Sequence, residues 1–224
     1  MVKNYLNKKN ILITGVTSGI GKILTECLSS YGANIIMLSK NEAELDAMYD
    51  EMIKKDKTDP LILKCDLEKL NEENASKMSK IVQENYANLD AVIFNAAILG
   101  KMSDIESYDQ TTWEKILKVN LTSTFLMAKN LLPLLKDSTN PRIIFTSSGV
   151  AKKAKAFWGA YSVSKAGLNA LSEIISDEVE SVSTIKVFNF NPKATRSKLR
   201  SLAYPAENHK IIKQPVDLID YYLW

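Results

Sequence analysis

The chain has 224 residues, 46% of them hydrophobic and 25% charged, enough for one sizeable core and a single domain over residues 1–224. Its formal charge of +3 comes from 29 Lys+Arg against 26 Asp+Glu spread along the sequence, so no basic stripe points to nucleic acid or a membrane surface. No run nears the roughly 18 apolar residues of a membrane span, "MVKNYLNKKN" has no apolar signal core, and Cys27 and Cys65 have no metal spacing, so a cytoplasmic protein is expected.

The first element is a strand, Ile11–Thr14, feeding "GVTSGIGK" and then a helix over Gly19–Tyr31 that Gly32 stops. A strand, a tight glycine turn and a helix N-terminus together make an anion site. The kinase-type phosphate loop fails on spacing: five residues separate Gly15 from Gly21, and Lys22 precedes Ile23 rather than Ser or Thr. Gly15, Gly19 and Gly21 instead form a dinucleotide fingerprint, spaced wider than the common G-x-G-x-x-G, with Ser18 and Ile20 between them. A second strand, Asn34–Leu38, leads to the corner Ser39-Lys40. An NAD site commonly places Asp or Glu there for the ribose hydroxyls; a hydroxyl and an ammonium favour a 2′-phosphate, hence NADP over NAD.

Strands at Leu61–Lys64, Ala91–Asn95, Arg142–Ser147 and Thr184–Asn189 alternate with helices at Glu42–Lys55, Asn71–Tyr86, Thr111–Leu132 and Gly159–Val179. That is the pattern of βαβ units. The expected fold is a Rossmann-like, doubly wound parallel α/β sheet with helices on both faces, its ligand lying beyond the carboxyl ends of the strands. There stand Thr14-Gly15, Ser39-Lys40, Asp66, Asn95, Ser147-Ser148 and Asn191. In "FTSSGVAKKAKAFWGAYSVSKAG", Tyr161 and Lys165 are four apart and share one helix face. Taken singly, each of these residues has a structural explanation: a core-edge tyrosine, a strand-ending serine, a hydrogen-bonding Asn120. "KKAK" reads as a solvated loop or as a contact for an acidic substrate, Trp158 as core or pocket wall, and His209 as a residue without partners.

The joint pattern of T-G-x-x-x-G-x-G, Asn120, Ser148 and Y-x-x-x-K resembles the short-chain dehydrogenase/reductase family over essentially the whole chain. "GAYSVSK", "TRSKLR" and "DLIDYYLW" are most similar to its YciK-type oxidoreductases. The resemblance implies hydride transfer between a nicotinamide cofactor and a small carbonyl or alcohol substrate. Tyr161 would be the general acid/base, Ser148 the hydroxyl on the substrate oxygen, Lys165 the group that holds the ribose and lowers the tyrosine pKa, and Asn120 the anchor of a water. A phenol must come down about 3 units to work near pH 7, and one cation about 4 Å away supplies about that much. The same resemblance gives Asp66 and Leu67 to the adenine, Asn95, Pro192 and Thr195 to the rest of the cofactor, and a homodimer paired through Thr111–Leu132 and Gly159–Val179, with Leu121, Phe125, Leu168 and Leu171 as surplus apolar residues.

The chain also departs from the family pattern. Ala97 and Ala151 stand at glycine positions, and Pro192 is followed by Lys193 instead of Gly, a change expected to cost about 1 kcal/mol or to block the nicotinamide pocket. The sequence stops at Trp224, in a helix starting near Pro215, so a sheet of six strands without the family's seventh is expected. These departures keep open an alternative: a nucleotide-binding protein with little or no turnover.

Overall fold

The computed structural model describes residues 5–208 and 210–223; His209 and Trp224 lie outside them. Six strands, β1 (Asn10–Thr14), β2 (Asn34–Ser39), β3 (Leu61–Lys64), β4 (Ala91–Phe94), β5 (Arg142–Thr146) and β6 (Lys186–Phe190), form one sheet of order β3-β2-β1-β4-β5-β6. Every pairing is parallel. This is the doubly wound order, with its switch point between β1 and β4. Among the described residues β6 is an edge.

Parallel strands covered on both faces are apolar throughout, and all five residues of β1 are buried. Alternate side chains feed two cores. Leu12, Leu38, Val92, Phe94 and Phe145 join one; Ile13, Ile35, Met37 and Ile93 join the other. The first face is covered by α3 (Glu72–Asn85), α5 (Ser123–Lys136) and α7 (Gly159–Glu180), the second by α1 (Gly19–Ser30), α2 (Glu42–Lys55) and a 3₁₀ helix at Pro215–Tyr222. Caps fix the entries. The Asn71 side chain accepts from Asn74 N–H at 2.8 Å to start α3, and Asp109 accepts from Thr112 N–H at 2.7 Å to start α4 (Gln110–Leu117). Gly32, at φ 95°, closes α1 with N–H donation to Ser29 at 2.8 Å, as its sequence position requires.

Three departures from the sequence reading go beyond a single residue at an element's end. The predicted helix Thr111–Leu132 is interrupted by a π turn at Lys118–Thr122 between α4 and α5. The widened turn is a single step in the apolar period, and reading the segment as one continuous helix passes over it. Pro133 does not end α5 because Leu134 and Leu135, 4% and 1% exposed, carry the helix on into the core. β6 begins at Lys186 rather than Thr184, since the Ser183 hydroxyl donates to Val179 and accepts from Ile185 N–H, prolonging the exit from α7. Two short helices complete the chain, α6 (Gly149–Lys152) and α8 (Lys198–Ala203). No helix among the described residues is long and apolar enough to cross a membrane.

Candidate active site

The strands end their carboxyl sides on one cavity of about 900 Å³. At its β1 end the chain turns at Gly15, φ 72°, where a Cβ would lie 2.9 Å from the Ala96 Cα. Gly21 does not line the cavity but permits it: a Cβ there would stand 2.2 Å from the Gly15 carbonyl oxygen. With Ser18 extended as N-cap and making no side-chain cap bond, the first N–H groups of α1 are left for an outside acceptor. Ser18, Gly19 and Ile20 all line the cavity. A cradle from which side chains are sterically barred, beside a helix N-terminus, fits a dinucleotide pyrophosphate.

Next along the sheet, Ser39 and Lys40 form the β2 corner, with the Ser39 hydroxyl 3.0 Å from that of Thr17. Lys40 is exposed and makes no ion pair with a described residue. Asp66 and Leu67 line the same end, where one Asp66 oxygen also accepts from Glu68 N–H at 3.1 Å. Asn95 lines the floor while its amide donates to the carbonyls of Thr14 and Gly15 at 3.2 and 3.4 Å, bracing the glycine turn. On the far side stand Pro192 and Thr195, the Thr195 hydroxyl donating to the Pro192 carbonyl at 2.8 Å.

Ser148, Tyr161 and Lys165 meet in the middle. Ser148 is the N-cap of α6, directly beyond β5, and Tyr161 and Lys165 lie one turn apart on α7. Both are buried, at 5% and 2% exposure. The Lys165 ammonium donates to the Thr146 carbonyl at 2.7 Å and lies 5.9 Å from the Tyr161 ring centroid. The expected lowering of the phenol pKa is reversed here. Burial pushes Tyr161 up to about 12, with a hydrogen bond to Ser148 pulling the other way, and burial lowers Lys165 to about 8. Losing hydration penalises both charged forms, and the cation is turned toward the Thr146 carbonyl rather than the phenol.

Asn120 does not line the cavity. Sitting in the π turn, its amide oxygen accepts from Ile98 N–H at 2.8 Å, and its nitrogen donates to the Ile98 carbonyl at 2.9 Å and the Ser164 hydroxyl at 3.0 Å. The side chain implied to anchor a water thus ties the loop after β4 to α7. Lys193 takes φ 59°, the strained conformation its replacement of glycine predicts, yet it is exposed and leaves the cavity open.

Of the opposite wall, sequence reading named Trp158 but not the residues around it. Leu99, Val150, Trp158, Tyr161 and Ala203 form a third apolar cluster, with Leu199 and Tyr204 packed on it. Trp158 is both core and wall: its ring centroid lies 5.7 Å from that of Tyr161 and 5.8 Å from that of Tyr204. The Arg200 guanidinium caps Tyr204 at 3.7 Å and is held by both carboxylate oxygens of Glu207. The spacing of Arg200 and Tyr204, four apart, was the available signal.

Comparison with known proteins agrees with this geometry. A family model described as short chain dehydrogenase matches residues 9–208. The oxidoreductase YciK of Escherichia coli K12 is 32% identical over 222 residues, 99% of this chain and 87% of its own. A short chain dehydrogenase from Shigella flexneri 2a, crystallised with NADP, is similar at TM-score 0.95 and 31% identity, covering 100% of this chain and 92% of that one. Another from Escherichia coli CFT073, complexed with NADPH, gives TM-score 0.95, 32% identity and the same coverage. A glycine cradle at the switch point, a Ser-Tyr-Lys group beside it and a family match over most of the sequence make this chain an oxidoreductase of the short-chain dehydrogenase/reductase family.

Proposed function

We propose that the chain is an NADP-dependent reductase of small carbonyl compounds, acting in the cytoplasm with Tyr161 as proton donor. The observation that carries this reading is that the Ser148, Tyr161 and Lys165 side chains and the Gly15–Gly21 cradle open onto one cavity. NADP is favoured by Ser39 and Lys40 at the β2 corner, neither of them a carboxylate, and by the nicotinamide dinucleotides bound in the two similar structures.

Ser18, Gly19 and Ile20 would receive the pyrophosphate, Lys40 the 2′-phosphate, Asp66 and Leu67 the adenine, and Thr195 the carboxamide. When bound, the cofactor supplies the hydride. The protein's own work concerns the carbonyl oxygen. The Ser148 hydroxyl donates to that oxygen and orients it. The Tyr161 phenol, protonated throughout the physiological range because burial raises its pKa, gives up its proton as the oxygen gains charge. The Lys165 ammonium, 5.9 Å from the Tyr161 ring centroid, would stabilise the phenolate left behind, and the apolar wall of Leu99, Val150 and Trp158 excludes water. Asn120 is a positioning residue that fixes the loop after β4.

The test is NADPH oxidation over a panel of aldehydes, dicarbonyls and quinones. Tyr161→Phe is expected to lose at least about 100-fold in kcat while NADPH binding changes little, since a general acid contributes about 10²- to 10⁴-fold. The raised phenol pKa and the strained Lys193 are what the second reading draws on, a nucleotide-binding protein with little turnover. Tight NADPH binding with equal, negligible turnover in both proteins would select it.

We also infer a homodimer through the helical face of α4, α5 and α7. Phe125, Val163 and Ile174 are 47%, 47% and 54% exposed, more apolar area than an isolated face needs. Leu168 is not part of it: at 1% exposure it belongs to the protomer's own core, with Leu121 and Leu171 half-buried against that core. Sedimentation at micromolar concentration should show a dimer that Phe125→Glu dissociates, and a wild-type monomer would refute it.

A further inference from the structure

The substrate half of the cavity has an apolar body and a cationic mouth. Leu99, Val150, Trp158 and Tyr204 supply the body. Lys153 and Lys155, on the loop between α6 and α7, and Lys193, on the loop after β6, line the mouth. None of the three makes an ion pair or side-chain hydrogen bond with a described residue, and all three are exposed. The acids lining the cavity are Asp66 and Glu68, both at the β3 end, where Glu68 is held by Lys115 at 2.7 Å. Of the two cations that α8 brings to the cavity, Arg200 is already neutralised by Glu207, while Lys198 is exposed and adds to the positive charge.

Backbone strain marks the same two loops. Lys193, at φ 59°, and Phe157, at φ 71°, occupy the left-handed region that side-chain-bearing residues avoid. Such conformations persist where the surroundings demand them and cluster at ligand sites. A lysine held there, lining the same cavity as two uncompensated lysines, gives the mouth a positive potential that a neutral substrate would not use.

We propose that the carbonyl compound taken by this site carries an anionic group on an apolar or aromatic body, and that Lys153, Lys155 and Lys193 receive the anion while the body packs on Trp158 and Tyr204. The inference rests on the reductase reading for the carbonyl, but the anion preference is a property of binding and is measured separately.

The experiment compares 4-formylbenzoate, 4-formylphenyl phosphate and neutral methyl 4-formylbenzoate, by NADPH oxidation and by calorimetric binding to the NADP⁺-saturated protein. The expected result is at least about tenfold higher kcat/KM and affinity for an anionic aldehyde than for the ester, carried by KM and shrinking between 50 and 500 mM salt. Which of the two anions leads distinguishes a carboxylate from a phosphate substrate. Lys153→Gln/Lys155→Gln and, separately, Lys193→Gly should each compress the anion-to-ester ratio several-fold. A purely structural role for Lys193 would leave that ratio intact, whatever the change in thermal stability. Turnover of all three aldehydes at equal kcat/KM overturns the anion site and leaves the reductase standing. Preferential, lysine-dependent binding of the anions without turnover upholds the anion site and refutes the reductase, and neither turnover nor preference refutes both.

Discussion

Replacing Lys193 by glycine should make the protein more stable. The residue sits at φ 59°, where the Cβ of an L-residue crowds the following carbonyl at a cost of about 1–2 kcal/mol. Its side chain is exposed and without an ion pair among the described residues, so its removal loses little. The one local bond, from Lys193 N–H to the Asn191 side-chain oxygen at 2.9 Å, uses the backbone and survives the change. Against the gain stands the greater freedom of glycine in the unfolded chain, about 0.5–1 kcal/mol. The net is about 0.5–1 kcal/mol, and for a chain of this size each kcal/mol moves Tm by about 2–4 °C. Thermal unfolding followed by circular dichroism should therefore show Lys193→Gly melting about 1–4 °C above wild type. Lys193→Asn should gain as well, because asparagine tolerates this conformation. Lys193→Ala retains the strain and should gain nothing. A glycine variant that melts below wild type would refute the reasoning.

At the β2 corner, Lys40→Asp should weaken NADPH binding by about tenfold or more and reverse the NADPH/NADH preference, because a carboxylate repels the 2′-phosphate and can hold the free ribose hydroxyls; fluorescence titration with both dinucleotides measures it, and an unchanged ratio would contradict the role of that corner. The Lys165 pKa, lowered from 10.5 to about 8 by burial, makes a signed prediction about pH. Between these values the unfolded chain holds more protons than the folded one, so stability should rise from pH 8 toward 10.5 by up to about 3 kcal/mol. Tyr161, raised from 10 to about 12, acts oppositely above pH 10, where the unfolded chain loses its proton first. Urea midpoints from pH 7 to 10 should climb more steeply in wild type than in Lys165→Met, and parallel profiles would show that the amine is not titrating in this window.

Much of this site was legible in the sequence because the motifs report local sterics. Gly15 and Gly21 are spaced by a turn in which a Cβ has no room, and the i, i+4 spacing of Tyr161 and Lys165 needs only a helix to put them on one face. The doubly wound parallel sheet followed from the alternation of βαβ units. What stayed hidden depends on burial and on distant contacts. The upward shift of Tyr161 comes from desolvation under Trp158 and its neighbours, which no spacing encodes. The Asn120 amide could be placed near the site, but its engagement by Ile98 and Ser164 arises from a widened turn. The wall formed by Arg200 and Tyr204 lies in a segment of mixed polarity, and only folding brings it against Trp158. Leu168 looked like surplus apolar surface because sequence alone cannot apportion a helix between a core and an interface.

The π turn at Lys118–Thr122 also limits how this region can vary in length. Each residue in a helix turns the chain by about 100°, so a change here comes in whole steps and not by gradual adjustment. Deleting one residue would restore an ordinary helix from α4 into α5, but would rotate one flank against the other by that amount. The Asn120 amide would leave Ile98 and Ser164, or Leu131, Leu134 and Leu135 would leave the core, since both cannot keep their facing. Substitutions around the turn can therefore be absorbed singly, whereas an insertion or deletion within it would disconnect the loop after β4 from the helix that carries Tyr161 and Lys165.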